Sequence, residues 1–331
     1  MFNIDSATAI PSMPTPDTAG TPGWFAQTSP YTATTADWAN GIQAELLSIL
    51  TEAGITPSKS VTDQVLSSIQ KITYIKLFSP LNLYVSSFGS DTNPGTSIAP
   101  FATLQKAWDY ISKSIIQNGQ IITIHVSDGT YTSGVSCGFS QNTGLIQFIG
   151  NTTSPSSCVI NVADGMCFDV KESTISVSGF QLQAGGVDNF PYHNAGIGLN
   201  VSNGGVINFN NINFYTCSNS HINCSNGGYI SSVGSEYTIN GNAPNHIKLN
   251  GTSMNIQDSV ITISGTVTFS NSFVKCIKNA NLGITGNSFV GTFIGIRYTA
   301  SYNSIIDTGS SGSTYFPGNV AGTSDTGAFY I

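Results

Sequence analysis

Residues 199–209 read Leu-Asn-Val-Ser-Asn-Gly-Gly-Val-Ile-Asn-Phe, and residues 222–232 repeat the phrase as Ile-Asn-Cys-Ser-Asn-Gly-Gly-Tyr-Ile-Ser-Ser. Looser copies follow at 247–257 and 274–284, so the period is about 23 to 27 residues, which is typical of solenoid proteins. Each copy contains a pair of short strands around a turn of Asn and Gly. Stacked copies of this kind predict a parallel β-helix, which is a mainly β fold.

Strand-like segments that precede the copies extend the predicted body to residues 121–305, or roughly seven or eight coils. Alternation along each strand predicts apolar side chains inside and Asn, Ser and Thr outside. The additional segments are Ile121–Val126, Leu145–Ile149, Val159–Val162 and Thr174–Val177.

Charge and composition exclude several classes of protein. Only 8% of the 331 residues are charged, the net charge is −7, and Arg297 is the single arginine. Nucleic-acid binding needs a basic stripe, a membrane span needs roughly 18–20 apolar residues, and a secretory signal begins with a basic segment. We therefore expect no nucleic-acid partner, no membrane span and no cofactor.

The six cysteines lack the spacing of a metal site. We expect free thiols packed as small apolar residues inside the solenoid. A disulfide between Cys217 and Cys224 is the alternative, which spacing alone does not decide. The six are Cys137, Cys158, Cys167, Cys217, Cys224 and Cys276.

The N-terminal residues differ in character from the body. Residues 1–36 are rich in Pro, Thr, Ala and Gly and predict an extended arm, followed by a short helical module at 37–80. We expect the first helix to begin after Thr35 or Asp37 and to stop at Gly54, and Ser60 to cap the second. Two such short helices need each other, a second copy of the chain or a docking partner.

The body is predicted to be closed at both ends. Residues 81–120 contain a strand, a loop of turn-forming residues and a helix that covers the first coil. Residues 306–331 form a closing segment whose aromatic clusters, Tyr315–Pro317 and Phe329–Ile331, are expected to seal the far end rather than to contact a receptor.

Four short motifs stand in order near the N-terminus: Pro-Gly-Trp-Phe at 22–25, Thr-Ala-Asp-Trp at 35–38, Gln-Ala-Glu-Leu-Leu at 43–47 and Ala-Gly-Ile-Thr-Pro at 53–57. This arrangement resembles the N-terminal module of bacteriophage and prophage tail-fibre proteins. The resemblance implies that residues 1–72 attach the chain to a tail or baseplate protein. The attachment residues that it implies are Trp24, Phe25, Asp37, Trp38, Leu46 and Leu47.

A second resemblance covers the start of the body. The motifs are Leu-Tyr-Val-Ser-Ser-Phe-Gly-Ser-Asp at 83–91, Asn-Pro-Gly-Thr-Ser at 93–97, Pro-Phe-Ala-Thr-Leu-Gln-Lys-Ala at 100–107 and Asp-Gly-Thr-Tyr at 128–131. They look like the opening of right-handed β-helices of the pectate-lyase-like superfamily, and the C-terminal segment is similar to that of phage fibres with a β-helical body. The resemblance implies a right-handed coil and a homotrimer. The superfamily includes lyases, hydrolases and non-catalytic fibres, so the fold does not decide the function.

These resemblances predict a phage tail fibre that is assembled in the host cytoplasm and located in the virion tail. Its N-terminus would hold the tail or baseplate, and its body would contact a host-surface polysaccharide or receptor. A tailspike depolymerase of capsule or lipopolysaccharide is the alternative, and a purely structural tail component is the second. Enzymatic activity stays open, although the modest length favours binding over catalysis.

Candidate catalytic residues are carboxylates, because a glycoside hydrolase needs two of them and a lyase needs a base. Asp164, Asp169 and Glu172 fall at one coil corner, where solvated turns are common. A mechanism of the pectate-lyase kind, with calcium and arginine, is disfavoured because Arg297 lies at the far end. The candidates are Asp164, Asp169, Glu172 and Glu236, together with Asp188 and Asp258.

An insertion at 185–194 interrupts one copy and offers rings, amides and a carboxylate, which are the groups that hold sugars. Its glycan-contact candidates are Asp188, Phe190, Tyr192 and His193; packing at a trimer contact is the alternative. The histidines lie too far apart in sequence to predict a metal site. His221 and His246 recur one coil apart and predict a structural ladder.

Overall fold

The computed structural model describes residue 12 and residues 35–72, 74–140, 144–187 and 195–331. The chain divides into two compact units, residues 1–75 and residues 76–331. Most of the predicted arm, including Trp24 and Phe25, lies outside the described residues. Within the described ranges, no helix has the length and apolar character that crossing a membrane requires.

Helix α1 of the first unit spans Ala36–Glu52. The backbone N–H of Trp38 donates to Oγ1 of Thr35 at 3.3 Å, so Thr35 is the N-cap. Gly54 follows the helix with a φ of 62°, a left-handed conformation that suits glycine at a helix end. The predicted start and stop of this helix are confirmed.

Helix α2, Gln64–Ile72, begins later than predicted, and Ser60 does not cap it. The side chain of Gln64 gives the reason. Its Nε2 donates to the carbonyls of Ser58 and Val61, both at 2.7 Å, and its Oε1 accepts from the Ser58 N–H at 2.7 Å. Because this glutamine satisfies the backbone of the preceding loop, residues 58–63 form turns instead of a first helical turn.

The second unit opens with a strand, a loop and helix α3, Leu104–Ser114. The carboxylate of Asp91 fixes the loop by accepting from the N–H groups of Ala102 and Thr103, at 2.9 and 3.0 Å. The side chain of Thr103 then caps α3. The helix buries Leu104, Ala107, Trp108 and Ile111.

Helix α3 also closes one edge of a sheet. The N–H of Ser136 donates to Oε1 of Gln105 at 2.8 Å, and Nε2 of Gln105 donates to the Ser136 carbonyl at 3.3 Å. The glutamine amide therefore takes the place of a neighbouring strand. Without it, the backbone groups of this edge would be left unpaired.

The remainder of this unit is a parallel β-solenoid of about eight turns, as the repeated copies predicted. A full turn contributes three strands, which we call first, second and third. The first strands are Leu81–Val85, Ile122–Val126, Ile146–Ile149, the start of Thr174–Ala184, the start of Val206–Cys217, Tyr229–Val233, Ser253–Gln257, Asn281–Thr285, Ile305–Asp307 and Phe329–Tyr330.

The second and third strands follow in the same stacking order. The second strands are Gly129–Tyr131, Cys158–Val162, the ends of Thr174–Ala184 and Val206–Cys217, Glu236–Ile239, Val260–Ile263 and Ser288–Val290. The third strands are Val135–Cys137, Met166–Lys171, Ile197–Ser202, Ser220–Ser225, Ala243–Asn250, Val267–Ile277, Phe293–Ile296, Tyr298–Ala300, Gly318–Val320 and Thr323–Ser324. Outside these sets are the strands Ile75–Lys76 and Ile115–Ile116 and the 3-10 helix Pro155–Ser157.

The core consists of side chains stacked in register. Ile175 pairs with Ile207, Ile207 with Ile230, and Ile230 with Met254. Each of the four is at most 2% exposed, whereas Asn208, next to Ile207, is exposed. The predicted alternation of apolar residues inside and polar residues outside is confirmed.

The repeated Ser-Asn-Gly-Gly phrase forms the corner between third and first strands. Asn203 and Gly204 both adopt left-handed angles, with φ of 50° and 73°. Gly205 is required for a different reason, because a Cβ there would lie 2.5 Å from the carbonyl oxygen of Val170 on the neighbouring turn. The phrase therefore encodes a tight corner that can stack directly on another corner.

All six cysteines are buried free thiols, so the predicted packing is confirmed and Cys217 and Cys224 form no disulfide. Cys224 and Cys276 lie in one inward column of the third strands, with Leu249 between them. Burial raises the pKa of Cys224 to about 12, which keeps the thiol protonated and unreactive.

Aromatic rings pack into the last described turns. Phe316 is fully buried, and the rings of Tyr298 and Tyr330 stack with centroids 4.0 Å apart. Phe329 is instead 60% exposed, because neighbouring residues of a strand point to opposite faces. Phe316 and Tyr330 therefore seal the core as predicted, and the side chain of Phe329 does not.

Replacing Ile230 by alanine should destabilise the protein by about 2–5 kcal/mol, because the fully buried side chain leaves a cavity between its neighbours in the column. Thermal unfolding followed by circular dichroism measures the effect. Ser231→Ala, one residue further along the strand and on the outer face, serves as the control and should change stability by about 0.5 kcal/mol or less. Equal effects of the two substitutions would contradict the inward and outward assignment.

Candidate functional site

A groove of about 500 Å³ opens on the third strands near α3. Most of its lining comes from two corners that stack on each other, the turn between Tyr131 and Val135 and the turn between Val162 and Met166. Six of its twelve lining residues have hydroxyl, amide or carboxylate side chains, although most of its lining surface is apolar. Such a mixture of polar groups and apolar surface suits a sugar, which has both hydroxyls and CH groups. The lining residues are Gln105, Thr132, Ser133, Gly134, Val135, Ser136, Val162, Ala163, Asp164, Gly165, Met166 and Asp169.

Asp169 is the most buried charged group of the groove, at 6% exposed. Its carboxylate accepts from Nζ of Lys171 at 2.8 Å, from Nδ2 of Asn200 at 2.7 Å and from Oγ of Ser136 at 3.3 Å. A carboxylate has about four acceptor positions, so most of this one is already occupied. The arrangement fits a structural anion better than a catalytic base.

Asp169 also begins a line of side chains that continues from turn to turn. Asn223 donates from Nδ2 to Oδ1 of Asn200 at 2.7 Å, just as Asn200 donates to Asp169. These residues are paired in register on successive third strands. We call the outward residues at this position of the third strands, from Ser136 through Asp169, Asn200 and Asn223 onward, the polar column.

Asp169→Ala should destabilise the protein by about 1–3 kcal/mol, because the buried amide of Asn200 and the ammonium of Lys171 both lose their acceptor. The midpoint of thermal unfolding measures the loss. Glu236→Ala removes the same charge from an exposed strand position and should leave the midpoint nearly unchanged. A loss that is the same for both variants would rule out a special role for the Asp169 contacts.

Among the described residues, two of the predicted catalytic carboxylates line the groove, Asp164 and Asp169. Glu172 does not line it, since this residue sits in an exposed left-handed turn with a φ of 54°. Glu236 is exposed on the second strand Glu236–Ile239, and Asp258 lies in the turn before the second strand Val260–Ile263. The predicted placement of the trio at one corner is therefore wrong, because Asp169 lies within the strand Met166–Lys171 and separates the turn of Asp164 from the turn of Glu172.

The remaining predicted contact residues fall in two places. The insertion candidates Asp188, Phe190, Tyr192 and His193 lie outside the described residues. In the first unit, Asp37 is in the first turn of α1, Trp38 is 49% exposed, and Leu46 and Leu47 are half-buried.

His221 and His246 form a buried pair, as the ladder prediction required. Their Nδ1 atoms are 3.1 Å apart, and Oη of Tyr237 lies 3.2 Å from Nε2 of His246. Nε2 of His221 has no hydrogen-bond partner of acceptable geometry among the residues that the structure describes. Both rings pack among aromatic side chains, including Phe214 and Phe269, so the pair belongs to the core and not to a surface site.

Protonation of this pair is opposed by its surroundings. Burial lowers the pKa of His221 to about 3, against a weaker opposing effect of the Tyr215 backbone. Burial, with a smaller contribution from the charge of His221, lowers the pKa of His246 well below its usual range. Both rings are therefore neutral at neutral pH.

The free energy of unfolding should fall as the pH drops below about 6.5, because the unfolded chain then binds protons on His221 and His246 while the folded core does not. The loss should reach about 2 kcal/mol per histidine near pH 5. Denaturant titrations across this range measure it. The variant His221→Phe/His246→Phe should show a shallower slope than the wild type. Identical slopes in the two proteins would refute the assignment.

Sequence reasoning missed Gln105, Ser136, Asn200 and Asn223. The two asparagines occupy the same position in the quoted copies, and that equal position was the available signal. Gln105 and Ser136 carry no such signal, because helix docking brings them together across 31 residues. Within the described ranges, no group of three or more His, Cys, Asp or Glu residues is arranged to hold a metal ion.

No protein-family model matches the chain, and no curated protein or solved structure matches it either.

Proposed function

We propose that this chain is a bacteriophage tail fibre whose solenoid binds a glycan on the host surface. The observation that carries the proposal is the groove lined by Gln105, Ser133, Ser136, Asp164 and Asp169 on the outer side of a parallel solenoid. Hydroxyls, amides and carboxylates are the groups that bind sugar hydroxyls. The sparse surface charge suits a rigid element that meets an uncharged or partly charged polymer.

The first unit supports the attachment half of the proposal. The four N-terminal motifs resemble a virion-attachment module, and α1 and α2 keep several large apolar side chains open to solvent. Exposed apolar patches on small units commonly mark docking surfaces. We assign residues 1–72 to the tail or baseplate. The proposal also takes a right-handed coil and a homotrimer from the family resemblance.

The mass of the purified particle and its place on the virion test the attachment half. We expect a particle of three 34.7-kDa chains by analytical ultracentrifugation, and antibody labelling of intact phage at the tail. A monomer that is absent from the virion would overturn this part of the proposal.

Filling the groove tests the binding half. Ser133→Arg places a long side chain at the exposed groove wall and should weaken cell binding about tenfold or more, since bulk replaces the ligand. Ser253→Arg is the control, because it adds the same side chain at an exposed position of a first strand, outside the groove. This variant should bind cells as the wild type does. Flow cytometry with labelled protein on host cells gives the readout. Unchanged binding by Ser133→Arg would exclude the groove.

A depolymerase is the second candidate, because Asp164 and Asp169 share the groove. We expect purified protein to release no sugar from host polysaccharide, since most acceptor positions of Asp169 are occupied. Alanine substitutions at Asp164, Asp169, Asp188 and Glu236 complete the test. Sugar release that one of them abolishes would establish the enzyme instead.

A further inference from the structure

The cations of the solenoid are confined to its third strands and their immediate connections. The first and second strands contain no lysine or arginine. All such residues after residue 120 are Lys171, Lys248 and Lys275 within third strands, Lys278 directly after Val267–Ile277, and Arg297 between Phe293–Ile296 and Tyr298–Ala300.

Two of these lysines stack on each other. Lys248 pairs in register with Lys275 on the next turn, about 4.8 Å away. Lys248 donates to Oδ1 of Asn219 at 3.4 Å, and Lys275 forms no ion pair with any described residue. Like charges on adjacent strands repel each other, so an anion that touches both would be favoured.

Both lysines belong to the polar column. The column runs from Asn223 to Lys248 and Lys275 and ends in Thr299 and Thr323, one residue per turn. It therefore presents amides, ammonium groups and hydroxyls in a straight line. This sequence of groups matches a polymer that has both hydroxyls and negative charges.

Acidic residues are scarce in the turns that contain these lysines. Between residues 197 and 300 the only acidic residues are Glu236, on a second strand, and Asp258, in the turn before another. The third strands of these turns thus have a positive charge although the whole chain has a net charge of −7. Such a local field attracts anions along one line of the solenoid.

We propose that the polar column binds an anionic glycan, a sugar polymer with carboxylate or phosphate groups, through Lys248 and Lys275. The proposal rests on the glycan-binding function above. It adds a second contact, on turns of the solenoid other than those that line the groove, and specifies the chemical class of the ligand. Nucleic acid fits less well because the third strands offer no stacking surface: their aromatic residues are buried. These residues are Phe168, Phe269, Phe273, Phe293 and Tyr298.

Matched polymers test the proposal directly. Purified full-length protein is titrated with dextran, carboxymethyl-dextran and phosphate-substituted dextran, which share one backbone and differ in charge. We expect one or both charged forms to bind, with weaker binding at about 200 mM than at about 20 mM NaCl, and dextran not to bind. The form that binds more tightly identifies the anionic group. Equal binding of neutral and charged dextran would overturn the proposal.

Substitution then locates the site. Lys248→Gln/Lys275→Gln should weaken binding of the charged dextran about tenfold or more. Lys59→Gln/Lys71→Gln removes two exposed lysines from the first unit and should bind as wild type. Equal melting temperatures would show that both variants fold. Wild-type affinity in the Lys248/Lys275 variant would refute the site.

Two further ligands decide the class of partner. Polyglutamate and single-stranded DNA of equal charge should bind at least about tenfold more weakly than the charged dextran. Tighter binding of either would replace the glycan by an acidic protein or a nucleic acid. If wild type binds charged dextran but not host cells, the tail-fibre function fails while this site stands. If the Lys248/Lys275 variant binds both as wild type does, only this site fails.

Discussion

Parallel backbone hydrogen bonding from turn to turn is the constraint on which the rest of this structure depends. Each turn must present its N–H and C=O groups in register with the turn before it, because an unpaired buried backbone group is costly. The pairing of Ile222 with Ile247, and of Ile247 with Val274, shows how strictly this holds across turns of unequal length. Corners absorb part of the difference in length, and irregularities within the strands absorb the rest, as between Ala243 and Asn245, where the pairing with Val267–Ile277 shifts by one residue.

The same constraint aligns side chains whose chemistry would otherwise be unrelated. Register places apolar residues above one another inside and polar residues above one another outside, so a single position on the third strands becomes the polar column. Near one end it contains Asp169, whose carboxylate accepts from the amide of Asn200. Nearer the other end it contains Lys248 and Lys275. The stability of the column and the recognition that we propose for it therefore both depend on stacking, at different points of one line.

The amino-acid sequence predicted the stacked strands of the solenoid more fully than the candidate functional site. Sequence repeats with Asn and Gly at fixed positions predict the corners. The alternation of Ile and Asn predicts that one face of each strand is buried, so both features can be inferred from the amino-acid sequence. The later start of α2 could not be inferred from the sequence, because it depends on the hydrogen bonds that the Gln64 side chain donates to the backbone of the preceding loop. The groove could not be inferred from the sequence either, since Gln105 contacts Ser136 only because α3 packs on the edge of a sheet.

The carboxylates show the same limit. Asp164, Asp169 and Glu172 are close in sequence, yet a left-handed turn at Glu172 separates it from the groove, while the pairing of strands joins Asp169 to Asn200, which is 31 residues away. Nearness along the chain therefore predicted neither a shared corner nor which of them would act together, because Asp164 precedes the strand Met166–Lys171, Asp169 lies in it and Glu172 follows it. Only the register of the strands decides that.

The Ser-Asn-Gly-Gly corners have an evolutionary consequence. Gly205 and Gly228 both lie against a backbone carbonyl of the neighbouring turn, so the two corners are interchangeable in shape. Recombination between the DNA segments that encode them would add or delete one complete turn and leave both flanking turns able to join. The molecule can thus lengthen or shorten in steps of about 4.8 Å while each new junction preserves a continuous wall.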